Sequence, residues 1–222
     1  MNALKTLCIA LLSLGCATAA NAAGGTSSIV IDAQSGNVLY ADKAEELRYP
    51  ASLTKLMTLY ITFNALETGK LKFSDKLKVS STAASRSPSK LGMPAGSYID
   101  VKTAVEALIV KSANDCATVL AEALSPSEAE FAKLMTKTAR KLGMYRTTFK
   151  NASGLPNSAQ KTTAKDLAIL GAAVPPLPAV LSPLFLKRIS IQRHDIQNPQ
   201  LSLKRFAGNG RNENGLHRRF RI

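Results

Sequence analysis

Tryptophan is absent from this 222-residue chain, and aromatic residues together make up only 5% of it. A surface that stacks bases or sugar rings on aromatic faces is therefore not expected. Cysteine is scarce, at three residues. Cys8 and Cys16 fall in a segment that reads as a cleaved leader, so Cys116 alone remains and no internal disulfide forms. Cys116 lies among Ala117, Val119 and Leu120 on an apolar helix face, which predicts a packed thiol and not a reactive one. The two histidines, His194 and His217, have no ligand-spaced partners. Metal chemistry is unsupported and no cofactor is expected. Acidic residues are also short, at 15 against 29 Lys and Arg, for a net charge of +14.

That charge is unevenly spread. Residues 187–222 hold nine Lys/Arg and two Asp/Glu, half of the net excess. A basic binder of cell wall or nucleic acid using this tail is one reading, and it implies salt-sensitive binding. Incidental basicity is the reading preferred here, with no nucleic-acid partner. Hydrophobic residues at 45% and charged residues at 20% suit a soluble chain with one real core.

Lys5, the apolar stretch Leu7 to Leu14 and the small-x-small triplet Ala20-Asn21-Ala22 read as a signal peptide at 1–22. Cleavage after Ala22 and export to the periplasm are expected. The apolar run is too short to span a bilayer. Ser13-Leu14-Gly15-Cys16 loosely resembles a lipoprotein processing site, but Ser13 stands where an aliphatic is wanted.

Ser28 to Asp32 and Val38 to Tyr40 are β-rich runs around a Gly-containing turn, hence a hairpin. Leu53, Leu56, Met57, Tyr60 and Ile61 recur at helical steps up to about Glu67, and Gly69 stops that helix. Phe73 to Pro94, rich in Ser and Lys, reads as an irregular surface segment. Asp100 caps a helix over about Val101 to Val110. A second runs from Asp115 to Leu124, and Pro126 opens a third reaching Leu142, ended by Gly143. Tyr145 to Lys150 is extended, Asn151 to Gln160 a loop, and Thr163 caps a helix to about Gly171. A hairpin followed by clustered helices predicts a mixed α/β (α+β) domain with a helical lobe.

Ser52-Leu53-Thr54-Lys55 is a Ser-x-x-Lys at a helix start. Residues three apart share a helix face, about 5–6 Å apart at Cβ, so the amine of Lys55 reaches the hydroxyl of Ser52. Serine needs a base to take its proton. Lysine serves only if burial or a neighbouring cation lowers its pKa. Taken alone the motif is weak, because Ser52 also fits a plain helix cap. Ser112-Ala113-Asn114 lies between two apolar helices, and its Ser and Asn point the same way if the turn is extended. Together the two motifs match a known nucleophile signature.

The segment Pro50 to Thr58 resembles the nucleophile segment of the D-alanyl-D-alanine carboxypeptidases, which are penicillin-binding proteins. So do Ile31 to Leu39, Ser112 to Asp115, Phe149 to Pro156, and Thr162 to Ala168, within a span from Ser28 to Ala173. The resemblance implies a β-lactamase/transpeptidase-like fold, an antiparallel sheet plus a helical lobe. It implies a peptidoglycan stem peptide ending in D-Ala-D-Ala as substrate, and β-lactams as ligands. By the same resemblance Ser52 is the nucleophile, Lys55 the general base and Ser112 a proton relay. Asn114 binds the substrate amide or orients Lys55. Membrane association is expected only for a full-length version.

Family members also carry a Lys-Thr-Gly strand after the second motif. Lys-Thr-Gly occurs nowhere in the 222 residues. Glu213 to Arg221 can be encoded so that a one-nucleotide shift yields Lys-Thr-Gly-Phe-Ile-Gly-Ala-Ser-Gly. The same shifted frame permits family-like runs behind Asn209 to Asn212 and behind Leu177 to Leu181. A slip between about Ala168 and Leu177 is expected. On this reading residues 23–173 are a partial catalytic domain and 174–222 a non-homologous basic tail. The chain as written is then impaired or inactive. A class A β-lactamase shares the first two motifs. Its deacylating Glu has no counterpart in the loop from Asn151 to Pro156.

Overall fold

The computed structural model describes residues 25–32 and 34–175. The expected leader and its cleavage site, both histidines, residues 176–222 of the expected tail and the shifted-frame runs at 177–181 and 209–221 lie outside the described residues.

The hairpin forms as the pattern requires. Strands β1 (Ser28–Ile31) and β2 (Val38–Asp42) pair antiparallel, with Val30 opposite Tyr40 and an irregularity between Val30 and Ile31. The turn is set by Asp32, whose Oδ1 accepts from the Ser35 N–H at 2.7 Å, and by Gly36 at φ +73°. Ile29 is buried, whereas Val38, Leu39 and Tyr40 remain more than half exposed. Among the described residues, β2 pairs with β1 alone.

A short 3-10 turn (Ala51–Leu53) leads into α1 (Thr54–Glu67). Gly69, at φ +72°, follows its end. Helix α3 (Val101–Lys111) begins at Asp100, whose carboxylate accepts from the Thr103 N–H at 2.7 Å. Helix α4 (Asn114–Leu124) starts one residue earlier than the pattern predicted. Helix α5 (Glu128–Lys141) is capped by Ser127, which accepts from the Glu130 N–H. Pro126 therefore precedes the cap and does not occupy the first helical position. The side-chain acceptor of Ser127 satisfies an N–H that proline has no means to satisfy. Helix α6 (Ala164–Ala173) is capped by Thr163, as expected.

The segment from Phe73 to Pro94 is a correction. It contains β3 (Lys76–Lys78) and α2 (Ser81–Ser85) and buries Leu77, Val79 and Ala83. Strand β3 pairs with β4 (Tyr98–Asp100), Leu77 lying opposite Ile99. Exposed Lys and Ser flank single inward residues here, so the composition is polar although alternate positions are core.

Helix α4 is the hub. Every residue from Asn114 to Ala121 is buried, the burial expected of a helix surrounded by others. It packs against α1, α2, α3, α5 and β3. Met57, Val105, Leu120, Phe131, Met135 and Phe149 join in one apolar cluster around it. Cys116 belongs to this cluster, and burial pushes its thiol pKa well up. The hairpin docks on this body through contacts of β1 with α6. The result is a helical lobe with antiparallel strands, in agreement with the expected fold class.

Candidate active site

Ser52 sits in the 3-10 turn and Lys55 in the first turn of α1, so one helical turn separates them. The plain-cap reading of Ser52 does not hold. The residue preceding α1 is Leu53, and no side chain caps that end. Ser52 is exposed, whereas Lys55 is 4% exposed. The backbone leading into the turn is strained, with Ala51 at φ +46°. A non-glycine residue in the left-handed region costs about 1–2 kcal/mol.

The strain is matched by an unusually close approach from across the fold. Gly154, at φ +87°, lies directly over the Ala51–Ser52 peptide. A Cβ at this position would stand 1.8 Å from the Ala51 oxygen and 3.1 Å from the Ser52 nitrogen. Only glycine fits, on grounds of both space and conformation.

The residues before Gly154 grip the same helix. The Ser153 carbonyl accepts from Lys55 Nζ at 2.6 Å, and the Ala152 carbonyl accepts from Thr58 Oγ1 at 2.7 Å. The loop is in turn tied from within. Asn151 Oδ1 accepts from the Gly154 N–H at 2.7 Å, and Asn151 Nδ2 donates to the Leu155 carbonyl at 2.9 Å. Gln160 Oε1 accepts from the N–H groups of Lys150 and Asn151.

Lys55 is the electrostatic feature of the site. Burial alone lowers its pKa from the ordinary lysine value to about 8. Among the described residues its hydrogen-bond partner is the neutral Ser153 carbonyl, and no carboxylate forms an ion pair with it to offset the desolvation. With an unshifted pKa near 10.5, about one amine in several thousand is neutral at pH 7. At a pKa of about 8 the neutral share at pH 7 rises to roughly a tenth. Serine activation requires a neutral amine, and in this structure that amine bonds the Ser153 carbonyl and not the Ser52 hydroxyl one helical turn away.

Ser112 is half-buried and left-handed, at φ +55° and ψ +38°, at the junction of α3 and α4. The extended turn expected for this triplet is thus a correction. Reversing the chain between two packed helices needs a left-handed residue at the end of α3. Asn114 is the first residue of α4 and is buried. Its Nδ2 donates to the Ser87 carbonyl at 3.2 Å, and its N–H donates to the Ser89 carbonyl at 2.7 Å. Next to it, the buried Asp115 carboxylate accepts from the N–H groups of Leu91 and Gly92. The 87–92 segment is thereby fastened to the second motif. Packing of α1 on α4 puts the two motifs on adjacent helices. In this structure the Lys55 amine is held by Ser153 and not by Asn114.

Three contributors escaped the sequence reading: the Ser153 carbonyl, Gly154, and Glu128, whose carboxylate accepts the Ala152 N–H at 3.0 Å. The run from Asn151 to Gln160 was legible as a loop. Nothing local indicates that it faces the start of α1.

The family of D-alanyl-D-alanine carboxypeptidases matches residues 16–193 of this chain. The chain is 39% identical over 144 residues to the D-alanyl-D-alanine carboxypeptidase DacF of Bacillus subtilis, covering 65% of this chain and 37% of that protein. Its fold is similar to the crystal structure of the D-alanyl-D-alanine carboxypeptidase DacD from Francisella tularensis. The TM-score is 0.65 at 35% identity, with 66% of this chain and 36% of that one covered. It is also similar to penicillin-binding protein D2 from Listeria monocytogenes in an ampicillin-bound form, with a TM-score of 0.54 at 30% identity, covering 67% of this chain and 60% of that one. The chain spans less than two-fifths of the length of the curated relative named here.

Proposed function

This chain belongs to the D-alanyl-D-alanine carboxypeptidase family, and from that premise we propose that it carries the nucleophile, base and proton relay of a serine D-Ala-D-Ala carboxypeptidase acting through an acyl-enzyme on Ser52. Ser52 attacks the carbonyl of the penultimate D-Ala of a peptidoglycan stem peptide. Lys55 takes the Ser52 proton as general base. Ser112 passes a proton to the leaving amine, the C–N bond breaks, and terminal D-Ala departs. Asn114 binds the substrate amide. The Ser52 N–H donates to the developing oxyanion, and water then releases the acyl group from Ser52. A β-lactam acylates the same hydroxyl by opening its ring.

The observation that carries this reading is the Lys55 amine, nearly dry, with a pKa lowered to about 8, one helical turn from an exposed Ser52. Similarity to a protein solved with ampicillin bound supports β-lactam recognition. A class A β-lactamase is not favoured, since the loop 151–160 contains no acidic residue.

The test compares the chain as written with a version whose reading frame is restored to encode Lys-Thr-Gly. A fluorescent penicillin labels the restored version at Ser52, located by peptide mass, and Ser52→Ala abolishes the label. The chain as written labels at least about 10²-fold more slowly, the loss expected for a missing oxyanion donor. Failure of the restored version to label, or labelling of its Ser52→Ala variant, defeats the reading. Export belongs to the same proposal. Expression in a Gram-negative host is expected to yield a periplasmic protein that begins at Ala23, read by intact mass.

A further inference from the structure

Glu128 lies in the first turn of α5, buried, and its two carboxylate oxygens are divided between two tasks. Oε2 pairs with the Arg86 guanidinium. Oε1 accepts the Ala152 N–H at 3.0 Å. Ala152 is itself fully buried, so that N–H has no route to water. The carbonyl of Ala152 holds Thr58, and the next carbonyl, that of Ser153, holds Lys55. One short stretch of backbone is therefore gripped by Glu128 on one side and grips the Ser-x-x-Lys helix on the other. Arg86 also reaches α4, its Nε donating to Thr118 Oγ1 at 3.4 Å. The ion pair thus joins the helix of the second motif to the loop that holds the first.

We propose that Glu128, anchored by Arg86, is a positioning residue for Lys55: it pins the Ala152–Gly154 backbone so that the Ser153 carbonyl holds the Lys55 amine one turn from Ser52. The inference rests on the reading of Lys55 as the base, which the previous section proposed. Glu128 touches neither the Ser52 hydroxyl nor the Lys55 amine. Its effect is transmitted by the loop.

The physical chain has a testable sign. Removing the carboxylate leaves the Ala152 N–H buried without an acceptor, and such groups move to water. The loop then lifts from α1, the Ser153 carbonyl leaves Lys55, and solvent reaches the amine. Better solvation of the ammonium raises the Lys55 pKa toward the ordinary value. A direct electrostatic effect of losing a negative charge runs the other way and lowers it. The two accounts predict opposite shifts.

The experiment titrates Lys55 in the 222-residue chain labelled with 13C-lysine, following its Cε shift against pH and assigning it with Lys55→Arg. Glu128→Ala is expected to raise the Lys55 pKa by about one unit or more. Glu128→Gln keeps an oxygen for the Ala152 N–H and is expected to recover most of that shift, although both variants lose the Arg86 ion pair. A folded Glu128→Ala protein whose Lys55 titrates as in the wild type overturns the proposal, as does a downward shift. Should Glu128→Ala not fold, the volume-filling Glu128→Met, which also removes the acceptor of the Ala152 N–H, carries the same test: an upward shift of Lys55 is expected, and no shift or a downward one overturns the proposal. Penicillin labelling is read separately. A restored-frame protein that never labels at Ser52 sinks the functional reading and leaves the titration result standing.

Discussion

Replacing Gly154 by alanine isolates what the close approach at the nucleophile turn does. The added Cβ would stand 1.8 Å from the Ala51 oxygen, against about 3.4 Å for the onset of ordinary contact. The two backbones must therefore separate by about 1.6 Å, since neither atom belongs to a side chain that can swing away. The positive φ adds about 1–2 kcal/mol, and overpacking of this kind typically adds about 1–3 kcal/mol. A total of about 2–5 kcal/mol lowers Tm by roughly 4–20 °C in a chain of this size. Gly36 is an internal control, because it also has a positive φ (+73°) but nothing within 4 Å of its Cβ position. Gly36→Ala is expected to cost only the backbone share, about 1–2 kcal/mol. Circular dichroism melts of both variants read the difference. In the restored-frame protein, Gly154→Ala also shifts the Ser52 N–H, and displacement of about 1 Å at a reacting group costs about 10²-fold in rate. Equal melting temperatures for the two variants, with undiminished penicillin labelling by Gly154→Ala, would refute the reasoning.

Three further outcomes are expected. Lys55 has a folded pKa of about 8, below its unfolded value, so between pH 8 and about 10.5 the unfolded chain binds more protons and stability rises with pH. The stability difference between wild type and Lys55→Met, from urea unfolding, is expected to move by about 3 kcal/mol in favour of wild type from pH 7 to pH 10.5, and a flat difference would contradict the lowered pKa. Thr54 Oγ1 is buried without a hydrogen-bond partner among the described residues, so the near-isosteric Thr54→Val is expected to hold or raise stability by up to about 1 kcal/mol, whereas a loss above about 1 kcal/mol in a urea titration means the hydroxyl has a partner. Nucleotide sequence across Gly171 to Pro178 is expected to show a one-nucleotide slip, and codons that forbid the shifted frame end that explanation of the missing Lys-Thr-Gly.

Much of the scaffold was legible because its signals are local. Asp100 and Thr163 cap their helices through a side chain three residues from the N–H it accepts, and Gly69 and Gly143 adopt the left-handed conformations that end helices. Such signals are complete within one turn of chain. Where the signal was composition, it misled. The Ser- and Lys-rich segment from Phe73 to Pro94 conceals three inward residues, because a short edge element exposes most of its side chains.

The residue pair at the heart of the site, Ser52 and Lys55, was determined by the sequence alone, since a spacing of three on a helix is a geometric statement in itself. What makes the pair useful was decided by tertiary structure. Lys55 is dried and held by a carbonyl 98 residues away, Gly154 presses on the Ala51–Ser52 peptide, and Glu128 secures the loop that does both. Burial and backbone acceptors depend on which distant segments meet. Every residue offers the same carbonyl, so no side-chain pattern along the chain reveals which one an amine will find.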